Sequence, residues 1–202
     1  MVEAKNMLAL STRNQIIVGL ILALFLIATR GHHFTSLQSL PSASWAVFFL
    51  AGVYLRSAWL LPGFFTFAWL LDFAGYTWGG ASGFCLTPAY FFLLPAYASL
   101  WLAGRWYANQ HTFSWRTLVP LSLSLVVSTV ICRTFSSGGF YLFSGHFEEK
   151  TWVEFSERFM KHFPHFFESL LFYVGIAIVV HTAFTLAINY SNSRNSKIGQ
   201  HG

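Results

Sequence analysis

The sequence predicts an all-α integral membrane protein, a bundle of six transmembrane helices with both termini cytoplasmic. Three observations lead there. Of 202 residues, 55% are hydrophobic and only 9% are Asp, Glu, Lys or Arg, against about 25% in soluble domains. So little charge cannot cover a water-exposed surface, and 23 Phe, 8 Trp and 8 Tyr exclude a disordered chain. Six apolar stretches approach the roughly 20 residues that a helix needs to cross a bilayer. The cations, finally, are distributed unevenly between the two ends of those stretches. In such a chain a formal charge of +5 concerns topology, and no nucleic-acid partner is expected.

The first span, about 14–30, is an apolar run that ends at Arg30-Gly31-His32-His33. No small-x-small cleavage site follows it, so it is read as a permanent helix and not a removable signal peptide. The second, about 44–61, is closed by Leu61-Pro62-Gly63, and the third, about 63–78, by Gly79-Gly80-Ala81-Ser82-Gly83. Pro88 opens the fourth, about 88–107, which Asn109-Gln110-His111 terminates; the fifth covers about 117–135. Residues 136–165 read as an outer-face loop, in which Thr151–Lys161 alternates Trp152, Phe155 and Phe159 with charges at helical spacing. That pattern predicts an amphipathic helix lying over the end of the bundle. The sixth span is about 166–189, and with no repeat or linker the whole of 1–202 reads as one domain.

Orientation follows from Lys and Arg. With the N-terminus inside, the cytoplasmic segments hold Lys5, Arg13, Arg56, Arg105, Arg116, Arg194 and Lys197 against the single acid Glu3. The outer segments hold Arg30, Arg133, Lys150, Arg158 and Lys161, balanced by Glu148, Glu149, Glu154, Glu157 and Glu168. Asp72 remains, alone inside the bilayer.

Residues with chemical capability collect toward the outer face. His32 and His33 end the first span, and Asp72 sits in the aromatic run Trp69-Leu70-Leu71-Asp72-Phe73. A carboxylate there is costly unless it is paired or faces water, so it reads either as functional or as held by an Arg or a helix N-terminus. Tyr90 opens the fourth span, as a site residue or a member of the aromatic belt. Arg158 follows Glu154 at helical spacing, which also suits a solvated helix face. Cys85 is the sharpest feature: a soft nucleophile at the end of a small-residue loop that lets backbone approach a ligand. Without CxxC, a zinc-spaced Cys/His set or HExxH, a protein-built metal cage is not expected. One thiolate suits a metal that arrives with most ligands in place, as in a macrocycle. The alternative is a disulfide with Cys132, although a buried free Cys within an apolar span is ordinary.

These motifs resemble one family. The Gly-Phe-Cys-Leu-Thr-Pro-Ala-Tyr segment (83–90), Leu-Leu-Asp-Phe-Ala-Gly-Tyr (70–76) and the Arg-Gly-His-His end of the first span are similar to the BtuM family. Its members are small bacterial membrane proteins for cobalamin uptake, related to the S-components of energy-coupling factor transporters. The resemblance covers essentially the whole chain and rests most on the single Cys with Asp and Tyr flanking it. It implies an S-component-like fold in the bacterial inner membrane, with a cobalamin site facing the periplasm. It also implies that Cys85 coordinates the corrin cobalt and promotes decyanation of cyanocobalamin, with His33, Asp72, Tyr90 and Arg158 lining or supporting the site. S-components meet a coupling subunit through small residues of the first helix, and Gly19 and Ala23 form such a step here. The chain carries no GxxxxGK[S/T] phosphate loop, so any ATP-driven step belongs to a partner.

A second class competes. Gly80-Ala81-Ser82-Gly83 matches the GxSG of rhomboid intramembrane serine proteases, and His181 in the last span is the matching base. A Ser82–His181 dyad requires the two side chains within hydrogen-bond reach. Pro88 and the Cys85 loop are expected to leave Ser82 outside the helix proper.

Overall fold

The computed structural model describes residues 10–30, 42–78, 87–112, 114–145, 147 and 150–198, with the backbone alone at 188–189 and 191–198. All regular structure among them is helical: α1 (Thr12–Arg30), α2 (Ser44–Tyr54), α3 (Leu60–Trp78), α4 (Leu93–Gln110), α5 (Leu118–Phe143) and α6 (Trp152–Ile198). Short 3₁₀ turns, Pro88–Phe92 and Trp115–Thr117, lead into α4 and α5. Three stretches are long and apolar enough to cross a membrane: Thr12–Arg30, Trp115–Phe143 and Trp152–Ala187. Their outer surfaces carry Leu20, Leu24, Val119, Val126, Val179 and Phe184, each about half exposed or more. An apolar surface of that extent aggregates in water and is stable in lipid, which gives the chain its membrane-protein character.

The centre of the bundle is α2. From Ser44 to Val53 every residue except Leu50 is buried, so this helix is apolar all round because it has no solvent face. Its 11 residues amount to about 16 Å of rise, roughly half the thickness of a bilayer core. The break expected at Leu61-Pro62-Gly63 lies earlier. α2 stops at Tyr54, Leu55 is extended (φ −103°, ψ 127°), and α3 starts at Leu60 with Pro62 in its first turn. Proline fits there because first-turn N–H groups have no intrahelical acceptor.

α2 crosses α4 closely enough that side chains are excluded. A Cβ on Gly52 would overlap the Trp101 carbonyl, and one on Gly104 would overlap the Phe49 carbonyl. These reciprocal glycines bring the two backbones into contact. Phe48 then stacks on Tyr97 with ring centroids 4.2 Å apart, beside the fully buried Leu26, Leu100 and Leu170.

The segment 136–165 differs most from expectation. α5 continues through Gly138 and Gly139 to Phe143, where Gly139 lies against the ring of Phe92 and a Cβ would not fit. The amphipathic helix is not a separate element over the bundle end: it forms the first turns of α6, which passes through Pro164 and runs 47 residues, about 70 Å. Proline 164 removes one backbone hydrogen bond, yet Phe159, Phe163 and Phe167 stack along one face at 5.7 and 6.0 Å, and Phe155 meets Phe159 in a tilted contact at 6.0 Å. This i,i+4 ladder supports the helix on both sides of the proline.

Candidate functional site

The ends of α1, α3 and α5 meet the beginnings of α2, α4 and α6 at one end of the bundle. Arg30, the last residue of α1, organises this meeting. Its Nε and Nη2 donate to Oδ1 and Oδ2 of Asp72, both at 2.7 Å, a bidentate pair with side chains only 13% and 12% exposed. Nη1 donates to Tyr97 Oη at 2.9 Å and Ser44 Oγ at 3.0 Å, and Tyr90 Oη donates to Asp72 Oδ2 at 3.0 Å. The Arg30–Asp72 pair is fork-on-fork, and every bond of the network is charge-assisted because one partner in each is ionised. The network ties α1, α2, α3 and α4 together and satisfies the carboxylate that stood alone in the sequence.

Next to this network is a cavity of about 450 Å³, within the size range of small-molecule sites. Arg30 and Ser44 form its floor, Arg133 and Ser137 of α5 one wall, and Arg158 and His162 of α6 the other. Trp45, Phe140, Phe155 and Phe166 complete it. Its described lining holds three arginines and no carboxylate. Arg158 is bonded to Glu154 one turn back, Nε to Oε1 at 3.0 Å and Nη2 to Oε1 at 2.8 Å, and its guanidinium lies 4.8 Å from the Phe147 ring centre. The Arg133 guanidinium sits 4.7 Å from the Phe166 ring centre.

The sequence-predicted residues are distributed as follows. Asp72 and Tyr90 come together, but behind Arg30, holding it in place and not lining the cavity. Arg158 faces the cavity from the opposite wall. Cys85 and His33 lie outside the described residues, as does Ser82; Cys85 is two residues before Thr87, where the turn carrying Tyr90 begins. Cys132 is a free thiol, fully buried in α5. Among the described residues no three His, Cys, Asp or Glu side chains converge as a metal site. No known protein family and no curated protein matches this chain. Arg30, Tyr97, Ser44 and Arg133 are site residues that the sequence reading passed over. The available signal was a cation at the end of, or within, an apolar run, where an unpaired charge is costly.

The other end of the bundle is chemically separate. There Tyr107 Oη and His111 Nδ1 lie 2.9 Å apart, and the rings of His111 and His181 meet edge to face at 6.0 Å, beside a largely apolar cavity of about 410 Å³. Phe166 of α6 stacks on Trp45 at the arginine-lined end, and 15 residues of helix, about 22 Å, separate it from His181. Ser82 falls between Trp78 and Thr87, which both belong to the arginine-lined end.

The small-residue step of α1 points inward. A methyl on Gly19 would come within 4.0 Å of Leu55, and Ala23 packs against the core, while Ile16, Leu20 and Leu24 face outward.

Proposed function

We propose that this chain is a six-span protein of the bacterial inner membrane that binds cobalamin at its arginine-lined end and takes part in its uptake. The observation that carries this reading is the cavity itself. It combines aromatic walls, suited to a flat macrocycle, with polar groups, at the end of the bundle from which the Cys85 segment departs. A cavity of about 450 Å³ takes part of so large a ligand and leaves the rest at its mouth. Arg13, Arg56, Arg105 and Arg116 fall at the opposite end with no described acid beside them, whereas the cavity end sets Arg30, Arg133, Lys150, Arg158 and Lys161 against Asp72, Glu154, Glu157 and Glu168; that imbalance supports a cytoplasmic placement for the former end and a periplasmic one for the cavity.

In this reading the corrin supplies four equatorial nitrogens, and Cys85 contributes one axial thiolate. Electron donation from sulfur weakens the cobalt–cyanide bond of cyanocobalamin, and cyanide leaves as the anion with its bonding pair, so that cobalt keeps its oxidation state. Arg158, paired with Glu154, presents guanidinium N–H donors at the cavity wall, His33 belongs to the same outer group, and Asp72 with Tyr90 fixes Arg30. A coupling module, where one drives transport, meets α1 along Ile16, Leu20 and Leu24 beside Gly19 and Ala23. Visible spectra of the purified protein with and without cyanocobalamin test the proposal. The wild type should shift the cobalt absorption bands and release cyanide, and Cys85→Ala should do neither. A Cys85→Ala protein that binds with the wild-type spectrum and still releases cyanide removes the cysteine chemistry, and a wild type that binds no corrinoid removes the whole reading.

A further inference from the structure

Of the three cavity arginines, two are already neutralised. Arg30 spends both edges of its guanidinium on Asp72, Tyr97 and Ser44, and Arg158 is bonded to Glu154. Arg133 differs. It makes no ion pair with any described residue, and its buried Nε–H has no hydrogen-bond partner among them. Aromatic faces hold the guanidinium from one side, with Phe166 at 4.7 Å and Phe159 at 5.9 Å. Stacking stabilises the cation and orients the plane but leaves in-plane N–H groups unsatisfied. Ser136 and Ser137, one turn further along α5, line the same wall and add hydroxyls to it. The wall therefore carries one uncompensated positive charge with a planar fork of donors, the arrangement that receives two oxygens of a phosphate or carboxylate.

We propose that Arg133 is the anion-binding residue of the cavity and receives a singly charged phosphodiester from the bound ligand. This rests on the cobalamin reading: the corrin periphery bears neutral amides, and the phosphodiester of the nucleotide loop is the one formal anion among its side chains. The charge count of the described lining agrees, because Arg30–Asp72 and Arg158–Glu154 close on themselves and leave a single described cation for a single anion. A membrane phospholipid carries the same phosphodiester, so the test has to separate the two sources.

Binding of cyanocobalamin and of dicyanocobinamide, which lacks the phosphodiester together with the ribose and lower base and carries a second axial cyanide, is measured by titration to full-length wild type, Arg133→Gln and Arg133→Lys in nanodiscs, the change in preference between wild type and variant being the part that reports on Arg133. The wild type is expected to prefer cyanocobalamin about tenfold or more, the range for one charge-assisted contact. Arg133→Gln should lose that preference while binding cobinamide within about twofold of wild type, which also shows that the variant is folded. Arg133→Lys should keep part of the preference, since it retains the charge and loses the fork. The assignment is overturned if Arg133→Gln keeps the full preference, or if both ligands weaken equally in both variants. It is likewise overturned in favour of lipid if wild type shows no preference and native mass spectrometry finds a phospholipid that Arg133→Gln loses. A wild type that binds neither corrinoid overturns the cobalamin reading itself.

Discussion

Replacing Asp72 by Asn keeps the side chain's shape and removes the charge that Arg30 grips. Two N–H···O contacts of 2.7 Å lose their ionic character, and one amide edge presents N–H to N–H. Arg30 keeps one neutral acceptor in the Asn carbonyl, together with Ser44, Tyr97 and a long contact of 3.4 Å to Tyr90. Because both side chains of the pair are nearly enclosed, at 13% and 12% exposure, water replaces the lost partner only in part. Stranding one member of a buried pair costs about 3–5 kcal/mol. Removing both charges together, as in Arg30→Met/Asp72→Leu, should cost far less, because each charge also loses its desolvation penalty. The assay is equilibrium unfolding in mixed micelles, followed by tryptophan fluorescence across a double-mutant cycle. A loss below about 0.5 kcal/mol in Asp72→Asn, or a double variant that sums the two singles, would refute the argument that this pair joins α1 to α3.

The same unfolding assay checks three further expectations, and thiol labelling checks a fourth. Gly52→Ala and Gly104→Ala should each destabilise by about 1–3 kcal/mol because the added methyl meets backbone; Gly138→Ala, with nothing within 4 Å, should be neutral or gain up to about 1 kcal/mol. Arg158→Gln should change stability by less than about 0.5 kcal/mol, since its pair with Glu154 is half exposed; a larger loss would make Arg158 a structural residue. The His111 ring is held below its ordinary 6.5 by burial first and by neighbouring His181 second. The unfolded state therefore binds the proton more readily, so stability should be constant above about pH 6.5 and fall as the pH drops below it, and His111→Asn should flatten that fall. Cys132, fully buried, should resist maleimide in the folded protein and react on unfolding, which mass spectrometry of the labelled peptide reads directly.

Some of the site was legible in the residue order. Asp72 was marked by its cost in an apolar run, and pairing with an arginine was one of the two readings open to it. Helix counting put Tyr90 and Arg158 at one end of the bundle, and both lie at its arginine-lined end. Arg133 was treated only as a term in the charge balance, and Arg30 as that and as the start of the Arg-Gly-His-His motif, although Arg133 lies between Cys132 and Thr134 in an apolar helix, where a guanidinium needs a local reason. Nothing in the order of residues indicates that Asp72 and Tyr90 stand behind Arg30. That arrangement depends on the side of α3 that turns toward α1, which packing selects.

By itself the sequence determined the solvent and the class of structure. A chain that is 55% hydrophobic and 9% charged has to satisfy its backbone internally, and helices do this segment by segment. It also determined which ends of the helices carry unbalanced cations, because charge position along a chain is local information. The lengths of the elements were decided by tertiary contacts. α2 is short because Gly52 and Gly104 pull it wholly inside, and α6 continues past Pro164 because aromatic rings stack across it. The same holds for the cavity: Arg30, Arg133 and Arg158 are separated by long stretches of chain, and only the crossing of α1, α5 and α6 brings them around one space. Which of them is left without a counter-charge follows from distances of a few ångströms, and those are set by packing and not by composition.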